Sequence, residues 1–324
     1  MAKAPERLLL KTAESILRTS LAAKAGEKFL IITDIETYPI GRAFFEAGLK
    51  LGAESILTLM RQRTRHGEEP PPPIAEAWQS SDIFIAPTKY SLSHTQARKA
   101  ATNAGARGAT MPTITPGMFR AGAITADYSK VSELCEKMGG LMDRTSKVHI
   151  TSSKGTDITM SIQGRSVDRD NGLLFKRGDF GNLPAGEVFV APVESSAEGT
   201  LVFDGSIASV GLLKKPVTVT VTNGYATEIT GGREATKFDG LLSAVQKREA
   251  YNVAELGVGC NPKGRLIGII LEDEKIYGTV HVALGDNSTF GGSVRAGIHL
   301  DGIMLKPTMF FDDRIVIKDG AWAI

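Results

Sequence analysis

Along its first part the chain alternates helical and extended hydrophobic patterns. Apolar residues recur at helical spacing over residues 8–21, broken on the other face by Lys11, Glu14 and Arg18, and Ala25-Gly26-Glu27 closes that helix. Lys28-Phe29-Leu30-Ile31-Ile32-Thr33-Asp34 then reads as a short buried strand. The same alternation predicts helices over residues 40–51, 74–80 and 91–105, the last capped by Ser91 or Ser93. It predicts strands over 55–60, 82–87 and 107–111. Pro70 to Pro73 form a stiff spacer in a loop. Apolar strands separated by helices imply a mostly parallel, Rossmann-like sheet covered on both faces.

After a long helix over residues 127–143 the texture changes. Alternating strands are predicted over 148–151, 157–162, 187–191, 200–203 and 217–222. Asn223-Gly224 is a strong hairpin signal, and residues 225–230 make the return strand. A helix over 238–247 is followed by strands over 265–271, 278–284, 297–305 and 315–318. The fold class expected is an α/β N-terminal domain (1–146) followed by a β-rich α+β domain (147–324) that carries the chemistry.

Composition narrows the class. The 324 residues carry 38 basic and 36 acidic side chains, so a nucleic-acid footprint has no electrostatic support. The one basic cluster, Arg61 to His66, runs directly into Glu68 and Glu69. No apolar stretch is long enough to span a bilayer, and the N-terminal pattern lacks the apolar run of a signal peptide. A cytoplasmic location is expected. Cys135 and Cys260 lie far apart, in different predicted domains, and support neither a disulfide framework nor a zinc ribbon. The turn after the first strand, Thr33-Asp34-Ile35-Glu36-Thr37, lacks a Gly-x-Gly-x-x-Gly loop, and its two acids oppose a pyrophosphate.

The chemistry concentrates near the C-terminus. His299 and Asp301 are two apart on a predicted strand and so point to one side. His281 lies on the preceding strand, and Glu187 and Glu255 are lone acids among apolar and small residues. Buried carboxylates of that kind are costly unless a cation compensates them. Glu187, Glu255, His281, His299 and Asp301 are thus candidate ligands for Zn, Co, Mn or Fe, enough for one ion or, with a bridging carboxylate, two. Glycines 257, 259, 278, 285, 297 and 302 flank these positions, as close backbone or ligand approach would require. On spacing alone, a hydrogen-bonded structural histidine is the commoner meaning of His-x-Asp.

The segments Ala254-Glu255-Leu256-Gly257-Val258-Gly259, Asp273 to Gly285, His299-Leu300-Asp301-Gly302 and Asn182 to Pro192 resemble the M29 (aminopeptidase T/S-like) metallopeptidases, in particular their shorter leucyl aminopeptidase branch. That resemblance implies a two-metal, dimeric aminopeptidase acting on peptides or small molecules. Glu187, Glu255, His281, His299 and Asp301 would be its metal ligands, and Glu187 or Glu274 its proton-shuttling carboxylate. Ser288 stands where the peptidases carry a site tyrosine. The resemblance extends to ring-cleaving 2,5-dihydroxypyridine dioxygenases. That alternative would use one iron on His281, His299 and Asp301, with Glu255 where a nitrogen ligand would be expected. A third expectation is a non-catalytic member of the fold.

Overall fold

The computed structural model describes residues 4–324, with side chains from Glu6 onward. The chain divides into two compact units, one running to Ser132 and taking in Asp170–Ala185, the other comprising Glu133–Arg169 and Gly186–Ile324. Among the described residues there are three sheets, of five, eight and seven strands.

The first unit is the α/β one. Its sheet runs Glu54–Leu59, Lys28–Thr33, Ile83–Thr88, Arg107–Pro112, Phe180–Asn182, parallel throughout. Strand alternation sends Leu30, Ile32, Phe84 and Ala86 to a core with Trp78, whereas Phe29 meets Phe44 and Phe119 follows. Both faces are therefore covered, which is why these strands read as unbroken apolar runs. The helix Tyr38–Leu51 ends at Gly52, whose φ of 83° lets its N–H reach the carbonyls of Gly48 and Leu49.

Local chemistry moved three boundaries. The helix Gln96–Ala104 begins later than its pattern suggests. Thr95, not Ser91 or Ser93, caps it by accepting from the Arg98 N–H, and Ser93 is engaged with Thr110 instead. Pro72 is already inside the helix Pro72–Gln79, where a missing N–H costs nothing. The strand expected over 265–271 does not form. The Asp273 carboxylate accepts the N–H groups of Ile267 and Gly268, and Ile270–Asp273 is a short helix.

The second unit is β-rich. Its eight-stranded antiparallel sheet includes the hairpin Val217–Thr222 to Tyr225–Thr230, closed by Asn223 and Gly224 at φ 51° and 77°. Its seven-stranded sheet has at its centre the strands His299–Met304, Val280–Gly285, Val253–Gly259 and Glu187–Val190, paired antiparallel in that order. Cys135 and Cys260, expected in different domains, are both buried in this unit and adjoin. Among the described residues, no helix is long and apolar enough to cross a membrane.

Candidate metal centre

Register builds the site. Residues directly opposite in antiparallel strands share a face. Gly259 faces Glu187 and Gly257 faces Phe189 across one seam. Glu255 faces Ala283 and Gly257 faces His281 across the next. Ala283 faces Asp301 and Gly285 faces His299 across the third. One sheet face therefore carries Glu187, Glu255, His281, His299 and Asp301, with glycine and alanine between them. The other face carries Val188, Leu256, Val258, Val280, Val282, Leu284 and Leu300, all buried in the core. The glycines have a steric reason. A Cβ at Gly257 would lie 1.9 Å from His281 Nε2. The His281 ring occupies that space.

The donor atoms form two trios, Glu187–Glu255–His281 and Glu255–His299–Asp301, each within 4.8 Å, with Glu255 in both. His281 Nε2 is 3.3 Å from Glu187 Oε2 and 3.3 Å from Glu255 Oε1. His299 Nε2 is 3.3 Å from Glu255 Oε2 and 3.5 Å from Asp301 Oδ1. The trio His281, His299 and Asp301 expected of the one-iron alternative is not gathered among the described residues, because Glu255 stands between the histidines.

Two groups escaped the sequence reading. Lys275 is fully buried, and its Nζ lies 2.5 Å from Glu187 Oε1 and 2.8 Å from Glu274 Oε1. A lysine between acids in a solvated-looking run gives no sequence sign of burial, although it sits inside the segment that carries the resemblance. The second is the main-chain carbonyl of Asp286, 2.8 Å from His299 Nδ1. The hydrogen bond that Nδ1–H donates there orients the ring with Nε2 toward the carboxylates, the nitrogen that would face a metal. Glu274 joins the cluster through Lys275. The Ser288 hydroxyl donates to Asp286 Oδ1 at 2.8 Å.

The acids and imidazoles of the cluster shift one another strongly. Burial pushes the Glu255 carboxyl up, but hydrogen bonds from His281 and His299 outweigh it and hold the group at about 2. Burial would lower both imidazoles, yet Glu187 and Glu255 raise His281, and Asp301 and Glu255 raise His299, well above the usual range. Burial raises Glu274 to about 8 despite Lys275, with help from the Glu187 and Asp301 charges. Burial and the Glu255 charge also raise Asp168. Glu187 Oε2 and His281 Nδ1 are buried without a hydrogen-bond partner. An orphaned carboxylate oxygen beside hard nitrogen and oxygen donors fits a divalent ion of the iron, manganese or zinc type.

A parallel α/β unit followed by a β-rich unit that carries this candidate donor face defines the two-part fold class. Within that class, the chain matches the family NicX: 2,5-dihydroxypyridine 5,6-dioxygenase over residues 10–323, and it belongs to that family. It is similar to a curated 2,5-dihydroxypyridine 5,6-dioxygenase of Pseudomonas putida, 26% identical over 192 residues, covering 56% of this chain and 55% of the relative. The chain thus spans about half the length of that relative. Among solved structures it resembles the 2,5-dihydroxypyridine dioxygenase of Pseudomonas putida (TM-score 0.84, 19% identity, 98% of this chain and 97% of that one). It also resembles AmpT from Thermus thermophilus (TM-score 0.73, 18% identity, 99% and 100%). At such identities both structures show the fold alone. These findings overturn the aminopeptidase expectation, because the family match and the curated relative are both dioxygenases. The peptidase resemblance rests on a scaffold that the two activities share, and fold does not choose between chemistries.

Proposed function

We propose that the protein is a ring-cleaving dioxygenase that takes a hydroxylated aromatic or N-heteroaromatic ring. Family membership across the whole donor face carries this reading. A divalent ion, iron by analogy with the relatives, would be held by Glu255, His299 and Asp301, with His281 and Glu187 as the adjoining donors. When bound, that ion would supply a site where substrate oxygens and dioxygen meet, and both oxygen atoms would enter the product without an outside reductant.

The chain's own residues do the rest. The Asp286 carbonyl fixes the orientation of the His299 ring, so that Nε2 would face the ion. Lys275 pairs with both Glu187 and Glu274, and burial shifts the Glu274 carboxyl upward, the direction that suits a proton-holding group.

The test is purified protein reconstituted anaerobically with Fe(II) and exposed to oxygen with a panel of hydroxylated pyridines and catechols. Oxygen uptake equal to ring absorbance lost is the expected result. No uptake with any of them, at full iron occupancy, overturns the reading.

A further inference from the structure

The connection between the His281 and His299 strands, residues 286–297, is braced at both ends and in the middle. Asp286 Oδ1 accepts from the Ser288 N–H and hydroxyl at 3.0 and 2.8 Å, and Oδ2 accepts from the N–H groups of Ala296 and Gly297 at 2.9 and 3.3 Å. Buried Asn287 accepts from the Val294 N–H at 2.8 Å through its side chain and from the Gly292 N–H at 3.0 Å through its carbonyl. Glu194 accepts from the Ser293 N–H at 2.8 Å, and Arg165 donates to both Glu194 and the Gly291 carbonyl. A segment without helix or strand is thereby made stiff.

The braced strap presents Phe290. Its half-buried ring stands 5.7 Å from the His299 ring at 85° and 5.6 Å from the Phe189 ring at 77°. Phe189 is also half-buried and, by register, rises from the same sheet face as Glu187 and Gly257. Two partly open aromatic rings thus form a corner against a face otherwise made of acids, imidazoles and spacers. Partly exposed aromatic surface gains most from a ring laid against it edge-on or offset. Held stiffly, the corner also loses little freedom when it is covered.

We propose that Phe189 and Phe290 form a recognition wall that selects planar aromatic rings over aliphatic chelators of the same ion. This deepens the proposed function and rests on that reading. The wall positions the ring; it takes no part in bond making.

The test compares catechol with oxalate. Both bind a cation through two oxygens, and only catechol has a ring. Affinities are measured by calorimetry on Fe(II)-loaded protein kept anaerobic. Phe290→Leu and Phe189→Leu should each weaken catechol by about 3–10-fold, leave oxalate within twofold and leave iron content unchanged. Phe290→Tyr should restore catechol binding. Equal weakening of both ligands, unchanged catechol affinity, or a parent protein that binds no catechol overturns the proposal. Because no turnover is read, lack of oxygen uptake would sink the dioxygenase reading while leaving the catechol-to-oxalate ratio interpretable.

Discussion

At the scale of single residues, the five donors show what alternation along a strand can reveal. His299 and Asp301 are two apart, and the sheet places both on one face. How Glu187, Glu255 and His281 adjoin them depends on strand order and register, which no local pattern encodes. Lys275 and the Asp286 carbonyl were not legible: one is a charge whose burial depends on distant acids, the other a main-chain group without a sequence signature. Lys275 carries a clear prediction. Lys275→Met would remove the buried cation that faces both Glu187 and Glu274, leaving Glu187 with His281 alone, so the ion-free protein should lose about 3–5 kcal/mol in denaturant titrations. Excess divalent ion should recover part of that loss. A second expectation concerns the proposed ligands. His299→Ala or Asp301→Asn should lower bound iron from near-stoichiometric to below about a tenth after desalting, measured by elemental analysis, with the circular dichroism spectrum unchanged.

At the scale of elements, most helices and many strands followed from periodicity, but the strand Val253–Gly259 that carries Glu255 did not, and two further departures came from side chains that claimed backbone groups. Asp273 took the N–H groups that a strand over 265–271 would have used. Thr95 displaced the expected serine caps. Strand glycines were legible as close approach, but not that the approaching group is the imidazole of the facing residue. Gly257→Ala should therefore push His281 out of place, costing about 1–3 kcal/mol from overpacking and weakening ion binding at the same time. Thermal melts with and without metal would show both effects. The strap has its own pH signature. Burial pushes the Glu194 carboxyl up, but hydrogen bonds from Ser293 and Arg165 hold it at about 2 rather than 4.5. A depressed carboxyl contributes stability that is present above its ordinary range and lost as pH falls toward the folded value. Amide exchange over residues 286–297, corrected for intrinsic rate, should rise selectively between pH 4.5 and 2. Glu194→Gln should show that faster exchange already at neutral pH and flatten the dependence.

At the scale of the whole molecule, a parallel α/β unit followed by a β-rich unit was readable from the change in hydrophobic texture near residue 147. The activity was not. The motifs that resemble metallopeptidases lie on a fold shared with both the dioxygenase and AmpT structures, and local spacing cannot tell a scaffold's common features from those of one enzyme. The family match over residues 10–323 favours the dioxygenase alternative over the peptidase reading. Since the donors lie on one sheet of the second unit, ion binding should stabilise unevenly. At a hundredfold excess over the dissociation constant, an ion adds about 2.7 kcal/mol to the state that binds it. Hydrogen exchange should slow in the strands Val253–Gly259, Val280–Gly285 and His299–Met304, and hardly change in Lys28–Thr33 and Ile83–Thr88.

The spacers have a consequence for how such a centre can diversify. A floor of glycine and alanine has no side chains to trim or exchange, and enlarging Gly257 displaces an imidazole. New substrate preferences must therefore be written into the connection 286–297, within the limit that Asp286 keeps its hold on His299.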